Sequence, residues 1–415
     1  MNHSMNFTVE YEILGKKNKK KTIKTELTAH DVLIEKFQDG MKLEKHEVPF
    51  KSFVKNFGAT LAYIMGGTKT ATVVNAAGTA VDASTILSVS EAAINNSTNS
   101  IHSRRGIYIG DKGVNAINSG SIGAVSASVI KSFLTSPIGN AVQKSDIWLK
   151  RRIEASSASV ATKVSYGAMS ITIPTDSTVK ITRRFYNSRG SSIKVSEIGL
   201  GTQNTITGAA YFVNKNILLA RDVFAYDLTL ADQQYLDITY SFSLPSGGYL
   251  TNNLIVMLAN LFKNNSIAYS YKTVSGIAPI NPPTLTGLTV MGIADNTDYG
   301  IQVGEQFTTN SPYDYKLEDD ISNSVLDRSA TTYLNLLTET NTSTKFGFQR
   351  DFTNVDSSSV TIKEASLQIK DQDDKGIVLA RFPINSITLN PTDILRIKVY
   401  FEFPVSSTVY VTEEV

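Results

Sequence analysis

The chain has 415 residues, 40 of them basic and 38 acidic, for a formal net charge of +2. That balance gives no bulk electrostatic pull toward nucleic acid or an anionic membrane, and the lack of cysteine excludes disulfides, thiolate metal sites and cysteine nucleophiles. Charged residues make up only 19% while Ser, Thr, Asn, Val and Ile abound, which suits strands and polar turns better than long helices.

The length allows about two to four domains. In chain order, FTVEYEIL (7–14) and KTIKTELT (21–28) alternate around GKKNKK and are followed by a short segment, DVLIEKFQDG (31–40). Residues 1–44 therefore read as a small N-terminal β-hairpin arm with a solvated basic tip. KSFVKNFGATLAYIMGG places Phe53, Val54, Phe57, Leu61 and Ile64 at spacings of three and four, predicting an amphipathic helix over 51–66. GIYIG (106–110) is a short apolar strand bounded by glycine, and INSGSIGAVSASVIKSFLTS (117–136) is a Ser/Gly/Ala-rich loop. ITRRFYN and SIKVSEIGL flank SRGS, the pattern of a β-hairpin. ILLARDVFAYDLTLADQQYLDITYSFSLP (217–245) ends with Leu236, Ile238, Tyr240 and Phe242 alternating, as in a strand with one face on a core.

The same succession then recurs. YLTNNLIVMLANLFKNN predicts a helix over 250–264, GIQVG (300–304) matches GIYIG, and FGFQRDFTN and VTIKEASL flank VDSS. IVLARFPINSITLNPTDILRIKVYFEFP (377–404) repeats the alternating ending with Leu395, Ile397, Val399 and Phe401. Without a gap, 183–200 and 350–367 match at Arg183/Arg350, Phe185/Phe352, Asn187/Asn354, Ser191/Ser358, Ser192/Ser359, Glu197/Glu364 and Leu200/Leu367, where chance gives about one match. The second copy lacks the Ser/Gly/Ala-rich loop and instead has SPYDYKLEDDI (311–321). The expected fold is mainly β: two tandem β-sandwich units, jelly-roll or immunoglobulin-like, each preceded by one amphipathic helix, plus the arm. The expected boundaries are 1–44 for the arm, 45–245 for unit A and 246–415 for unit B.

Residues that could carry chemistry are few. KKNKKK (16–21) sits at a turn, where lysines are usually solvated. DQDDKG (371–376) has the spaced oxygens of a calcium loop without the downstream glutamate, and reads as a hairpin turn. His3, His30, His46 and His102 form no HxH or HxxxH pair. Glu197 and Glu364 read as strand glutamates in salt bridges, with Arg183 and Arg350 as candidate partners. Trp148 and the tyrosines read as core. No P-loop, GxSxG or dinucleotide fingerprint occurs. No catalytic, cofactor-binding or metal residue is assigned, no cofactor is expected, and the chain reads as a non-enzyme. No apolar run approaches the roughly 18 residues of a membrane span, so no membrane partner is expected; nucleic acid is not expected either, because neither interleaved aromatics nor a basic face accompanies the lysine run.

The succession SFVKNFGATLAYIM, RRGIYIG, ITRRFYNSRGSSIKVSEIGL, LLARDV and LDITYSFSL resembles a group of virion structural proteins of tailed bacteriophages. The resemblance spans about 45–243 and, more faintly, 249–404, where EASL replaces EIGL and ARFP replaces ARDV. It implies a structural part of the virion, assembled in the host bacterial cytoplasm as an oligomer or ring in the tail, neck or portal-proximal region. The implied partners are further copies of the chain and other proteins of tail, neck or capsid. A head fibre, decoration or host-attachment module is the alternative, and an enzyme or nucleic-acid-binding protein the remote one.

Overall fold

In the computed structural model the described residues are 4–16, 21–48, 54–66, 72–74, 80–83, 106–111, 149, 153, 155–156, 164–175, 177–203, 216–244, 248–262, 293, 298–311, 313–334, 343–370 and 376–404. The chain opens with β1 (Ser4–Ile13), β2 (Lys21–Gln38) and β3 (Met41–Val48), then α1 (Lys55–Gly66) and the short pair β4 (Thr72–Val74) and β5 (Ala80–Asp82). β6 (Gly106–Gly110), β7 (Ala155–Ser156), β8 (Val164–Tyr166), β9 (Ser170–Thr175) and β10 (Thr178–Tyr186) follow. Next come β11 (Ile193–Gln203), β12 (Asn216–Leu230), β13 (Tyr235–Ser243) and α2 (Asn252–Phe262). The last strands are β14 (Gly300–Gly304), β15 (Leu326–Arg328), β16 (Thr332–Leu334), β17 (Ser343–Asn354), β18 (Val360–Lys370), β19 (Gly376–Leu389) and β20 (Ile394–Pro404). The fold is mainly β, as the composition implied.

Alternation builds the large sheet. Leu236, Ile238, Tyr240 and Phe242 of β13 are all buried, as are Leu395, Ile397, Val399 and Phe401 of β20, so each strand sets one face on the core. These strands belong to a twelve-stranded sheet whose main path runs β15-β17-β20-β1-β2-β13-β10-β8-β7, with β16, β3 and β9 pairing β17, β2 and β10. Two three-stranded sheets, β6-β11-β12 and β14-β18-β19, complete the layers.

The segment read as a separate arm lies in the middle of the large sheet. β1 pairs antiparallel with β20 from Asn6↔Glu402 to Ile13↔Leu395, and β2 pairs with β13 from Ser243↔Thr28 to Tyr235↔Phe37. A lone hairpin is marginally stable in water; here Phe7, Val9 and Tyr11 are buried, and the hairpin gains a neighbour on each side. DVLIEKFQ is the second half of β2. Asp39 and Gly40, at φ 50° and 79°, make the left-handed turn into β3.

The expected hairpins at SRGS and VDSS are instead arches between layers. β10 pairs with β13, β8 and β9, whereas β11 pairs with β12 and β6. Likewise β17 pairs with β20, β15 and β16, and β18 with β19 and β14. Two alternating runs around a polar turn are compatible with either connection; only sheet membership separates them. Register breaks fall at matching places, Val195/Glu197 with Ile362/Glu364, and Leu200/Gly201 with Leu367/Gln368.

The helices cross between the halves. Val54 N–H, just before α1, donates to Leu219 O (3.1 Å), and Thr251 N–H, just before α2, donates to Leu379 O (2.9 Å). Each helix thus starts on the three-stranded sheet of its own half, but α1 packs on β17, and α2 packs on β10 and β9. Phe57 of α1 meets Phe403 at 5.4 Å, and Phe262 of α2 meets Phe242 at 5.6 Å. One continuous apolar cluster consequently runs from Phe7 through both helices to Phe403.

Candidate functional site

Of the residues that recur in 183–200 and 350–367, the arginine, phenylalanine, asparagine, glutamate and leucine are buried in both copies, while Ser191, Ser192, Ser358 and Ser359 are exposed at the turns. Arg183 lies on β10 and reaches across to the other layer, where Nη1 donates to Ile107 O (3.0 Å). Arg350 on β17 does so to Ile301 O (2.7 Å), with Nε on Ser329 O (2.9 Å). Both carbonyls follow glycines in the left-handed region, Gly106 (φ 110°) and Gly300 (φ 88°). A Cβ at Gly106 would stand 3.0 Å from Arg183 Nη2, and one at Gly300 would stand 2.8 Å from Thr331 Cβ, so glycine is required on both counts. Burial pushes the Arg350 guanidinium down to about 10, with Arg328 adding repulsion and Asp298 opposing it.

The asparagines close the arches. Asn187 Nδ2 donates to Ser191 O (2.9 Å) and Leu230 O (2.9 Å), while Asn354 Nδ2 donates to Ser358 O (2.8 Å) and Leu389 O (2.9 Å). Their backbones meet the return arch as well: Asn187 N–H on Gln234 O (3.0 Å) and Asn354 N–H on Asp393 O (3.0 Å). In the return arches Gln233 and Thr392 take matching left-handed φ of 62° and 68°. One side chain therefore stitches two interlayer connections together.

Glu197 and Glu364 are fully buried and do form salt bridges, though not with Arg183 and Arg350. Arg221 Nε donates to Glu197 Oε2 (2.8 Å), and Arg381 Nε to Glu364 Oε2 (2.6 Å). These arginines come from LLAR and VLAR, one strand over, on β12 and β19. The repeat had aligned those motifs; the pairing was hidden because it depends on which strands become neighbours. Gly304 stands opposite Glu364 in the ladder, and a Cβ there would lie 2.6 Å from Glu364 Oε1. Gly110 stands opposite Glu197 in the same way.

In the second half this node also holds SPYDYKLEDDI. Arg381 donates to Asp314 Oδ2 (2.8 Å), Glu318 Oε1 (2.7 Å) and Thr309 O (3.0 Å), and lies 5.0 Å from the centre of the Phe307 ring. Glu318 accepts further bonds from Thr308 Oγ1 (2.7 Å) and Thr308 N–H (3.1 Å), and its own N–H donates to Glu364 Oε1 (2.6 Å). The Thr308 hydroxyl, then Arg381, hold the Glu318 carboxyl down at about 2 against partial burial. Burial pulls the Arg381 guanidinium down, but Glu318, Asp314 and Glu364 outweigh it and raise its pKa. Burial pushes Glu364 up, and Arg381 offsets only part of this. The segment then runs back along the outer edge of β14, with Glu305 N–H on Asp319 O (2.9 Å) and Ile321 N–H on Val303 O (3.3 Å). It is a strap that covers a sheet edge and is pinned by one guanidinium.

A buried arginine whose donors are spent on carboxylates and carbonyls fixes chain segments in place; it offers a reacting molecule neither nucleophile nor acid. Among the described residues no group of three His, Asp or Glu is placed to hold a metal ion. Of the other segments weighed in the sequence, Lys16 pairs with Asp393. Residues 17–20, 117–136 and 371–375, together with His3, His102 and Trp148, lie outside the described residues. His30 and His46 are placed by backbone only, in β2 and β3. Set against family models, curated proteins and solved structures, the chain matches none.

Proposed function

We propose that this protein is a non-enzymatic structural component of a tailed-bacteriophage virion, built of two tandem β-sandwich units and assembling as an oligomer in the tail, neck or portal-proximal region. The observation that carries the reading is the use of the repeated polar residues. Arg183/Arg350 bind one layer to the other, Asn187/Asn354 bind arch to arch, and Glu197/Glu364 bind neighbouring strands of one sheet, each with nearly the same distances in both halves. Polar groups repeated for internal architecture are what a duplicated scaffold unit needs. Two similar units in one chain can occupy two similar positions in a ring, so that half as many chains build it. The resemblance of the motif succession to phage virion proteins supplies the setting, with other virion proteins as further partners and the host cytoplasm as the place of assembly. Negative-stain microscopy of the purified full-length chain tests the reading: rings or discrete oligomers are expected, and a protein that stays monomeric at every concentration tried contradicts it.

A further inference from the structure

The two halves run in opposite directions across the large sheet. From β10 through β13, β2, β1 and β20 to β17 every neighbour is antiparallel. β10 and β17 therefore point opposite ways, and the arches that follow them stand at opposite ends of the sheet. β2 alone, with 18 residues, runs roughly 60 Å at the usual rise of a strand, which keeps the two ends far apart.

At the first end the last rung aligns Tyr186, Tyr235 and Phe37 across β10, β13 and β2, with Lys42 beside Phe37 on β3. The adjacent Phe185, Leu236 and Lys36 are buried, so by alternation the three rings lie on the face away from the core, where each is half-buried. Tyr186 and Tyr235 stack at 4.5 Å, and Arg184 lies over Tyr235 at 5.4 Å and Phe37 at 5.6 Å. Met41 and Leu43 on β3 extend this end and are 66% and 45% exposed. At the other end the corresponding rung is aliphatic: Thr353 pairs with Ile394, and Leu14 N–H donates to Ile394 O (2.9 Å). Leu14 and Ile394 are half-buried, and Val355 on the arch beyond them is 54% exposed. Met41, Leu43 and Val355 are three of the four large hydrophobic side chains exposed among the described residues.

The arch tips differ in sign. Two residues after the matched asparagines stand Arg189 in one arch and Asp356 in the other. The acids of the return arches are already engaged, Asp232 by Gly190 N–H (2.8 Å) and Asp393 by Lys16. Two aromatic ends brought together would set Arg189 against Arg189, and two aliphatic ends Asp356 against Asp356; the mixed pairing sets base against acid. Tyr, Phe, Met and Arg are also the side chains that concentrate at the centre of protein interfaces.

We propose that copies of this chain join end to end, the aromatic end of one, with Met41 and Arg189, seated on the aliphatic end of the next, with Val355 and Asp356. Such a contact is heterologous: it uses different patches on the two partners, and so propagates into a ring or a filament. The inference rests on the oligomeric reading above and adds to it which surfaces meet.

The chain has no cysteine, so thiols placed at the two ends report the contact directly. The full-length double variant M41C/V355C and the single variants M41C and V355C are treated with a short bismaleimide and resolved on a denaturing gel. Both positions are exposed, and the two ends lie too far apart for one crosslinker to join them within a chain. The double variant is expected to give a ladder of dimers, trimers and larger species, and each single variant to stay monomeric. Adding Arg189→Asp to the double variant, with native circular dichroism, should cut the ladder several-fold, because like charges then face each other across the contact. Single variants that crosslink as readily as the double one, or a ladder that Arg189→Asp leaves unchanged, overturn the pairing of these ends. A double variant that stays monomeric on the gel while microscopy shows oligomers overturns the contact and leaves the oligomer standing. No ladder and no oligomer overturns both.

Discussion

Asn187 and Asn354 each bridge two carbonyls with a single amide, one buried (Leu230 O, Leu389 O) and one part-buried (Ser191 O, Ser358 O), so truncation leaves both carbonyls without that donor. Asn187→Ala and Asn354→Ala should each cost about 1–3 kcal/mol, and by similar amounts, because the bonds are matched in length. Urea denaturation of the two variants checks this. Glu364→Ala removes one of three carboxylates from the Arg381 guanidinium and leaves the Glu318 N–H without its acceptor; with Asp314 and Glu318 still in place, it should cost about 1–3 kcal/mol. Glu318 sets the acid behaviour of the strap. Its folded-state pKa of about 2 lies below the ordinary 4.5, so its contribution is complete above pH 4.5 and is lost as pH falls toward 2. Glu318→Gln should flatten the stability profile in that window, as read by thermal melts taken across it. At this scale the sequence was informative about which residues matter and silent about whom they meet. The identities Arg183/Arg350, Asn187/Asn354 and Glu197/Glu364 were visible in the repeat, but the partners Arg221 and Arg381 depend on strand neighbours that no local pattern encodes.

Among the elements, the helices and the terminal strands were legible because their periods are strong. The helix expected over 51–66 is seen over Lys55–Gly66, and that expected over 250–264 over Asn252–Phe262; residues 51–53 and 263–264 fall outside the described residues. The strands GIYIG and GIQVG keep the bounds set by their glycines. What alternation cannot reveal is which sheet a strand joins, and for that reason the interlayer arches looked like hairpins. The N-terminal hairpin illustrates the same limit: its alternation is evident, but its two neighbours lie some 200 and 390 residues away in the chain. Phe7 tests its role directly. The ring packs against Phe401 (5.2 Å) and Phe382 (5.9 Å), joining β1 to β20 and β19. Phe7→Ala should cost about 3–5 kcal/mol, as for a large core aromatic, whereas a peripheral arm would lose little.

At the scale of the whole molecule, the tandem repeat is folded into one body. The N-terminal hairpin joins the two terminal strands into one sheet, and each helix begins on one half and packs on the other. Repetition serves architecture here, and the central claim, proposed above, is that the architecture serves a particle. Quantitative mass spectrometry of purified virions, from a host producing this chain, tests that claim most directly. The chain is expected in a fixed copy number per particle that survives removal of free protein. Its absence from particles, or a copy number that falls away with washing, would contradict the claim.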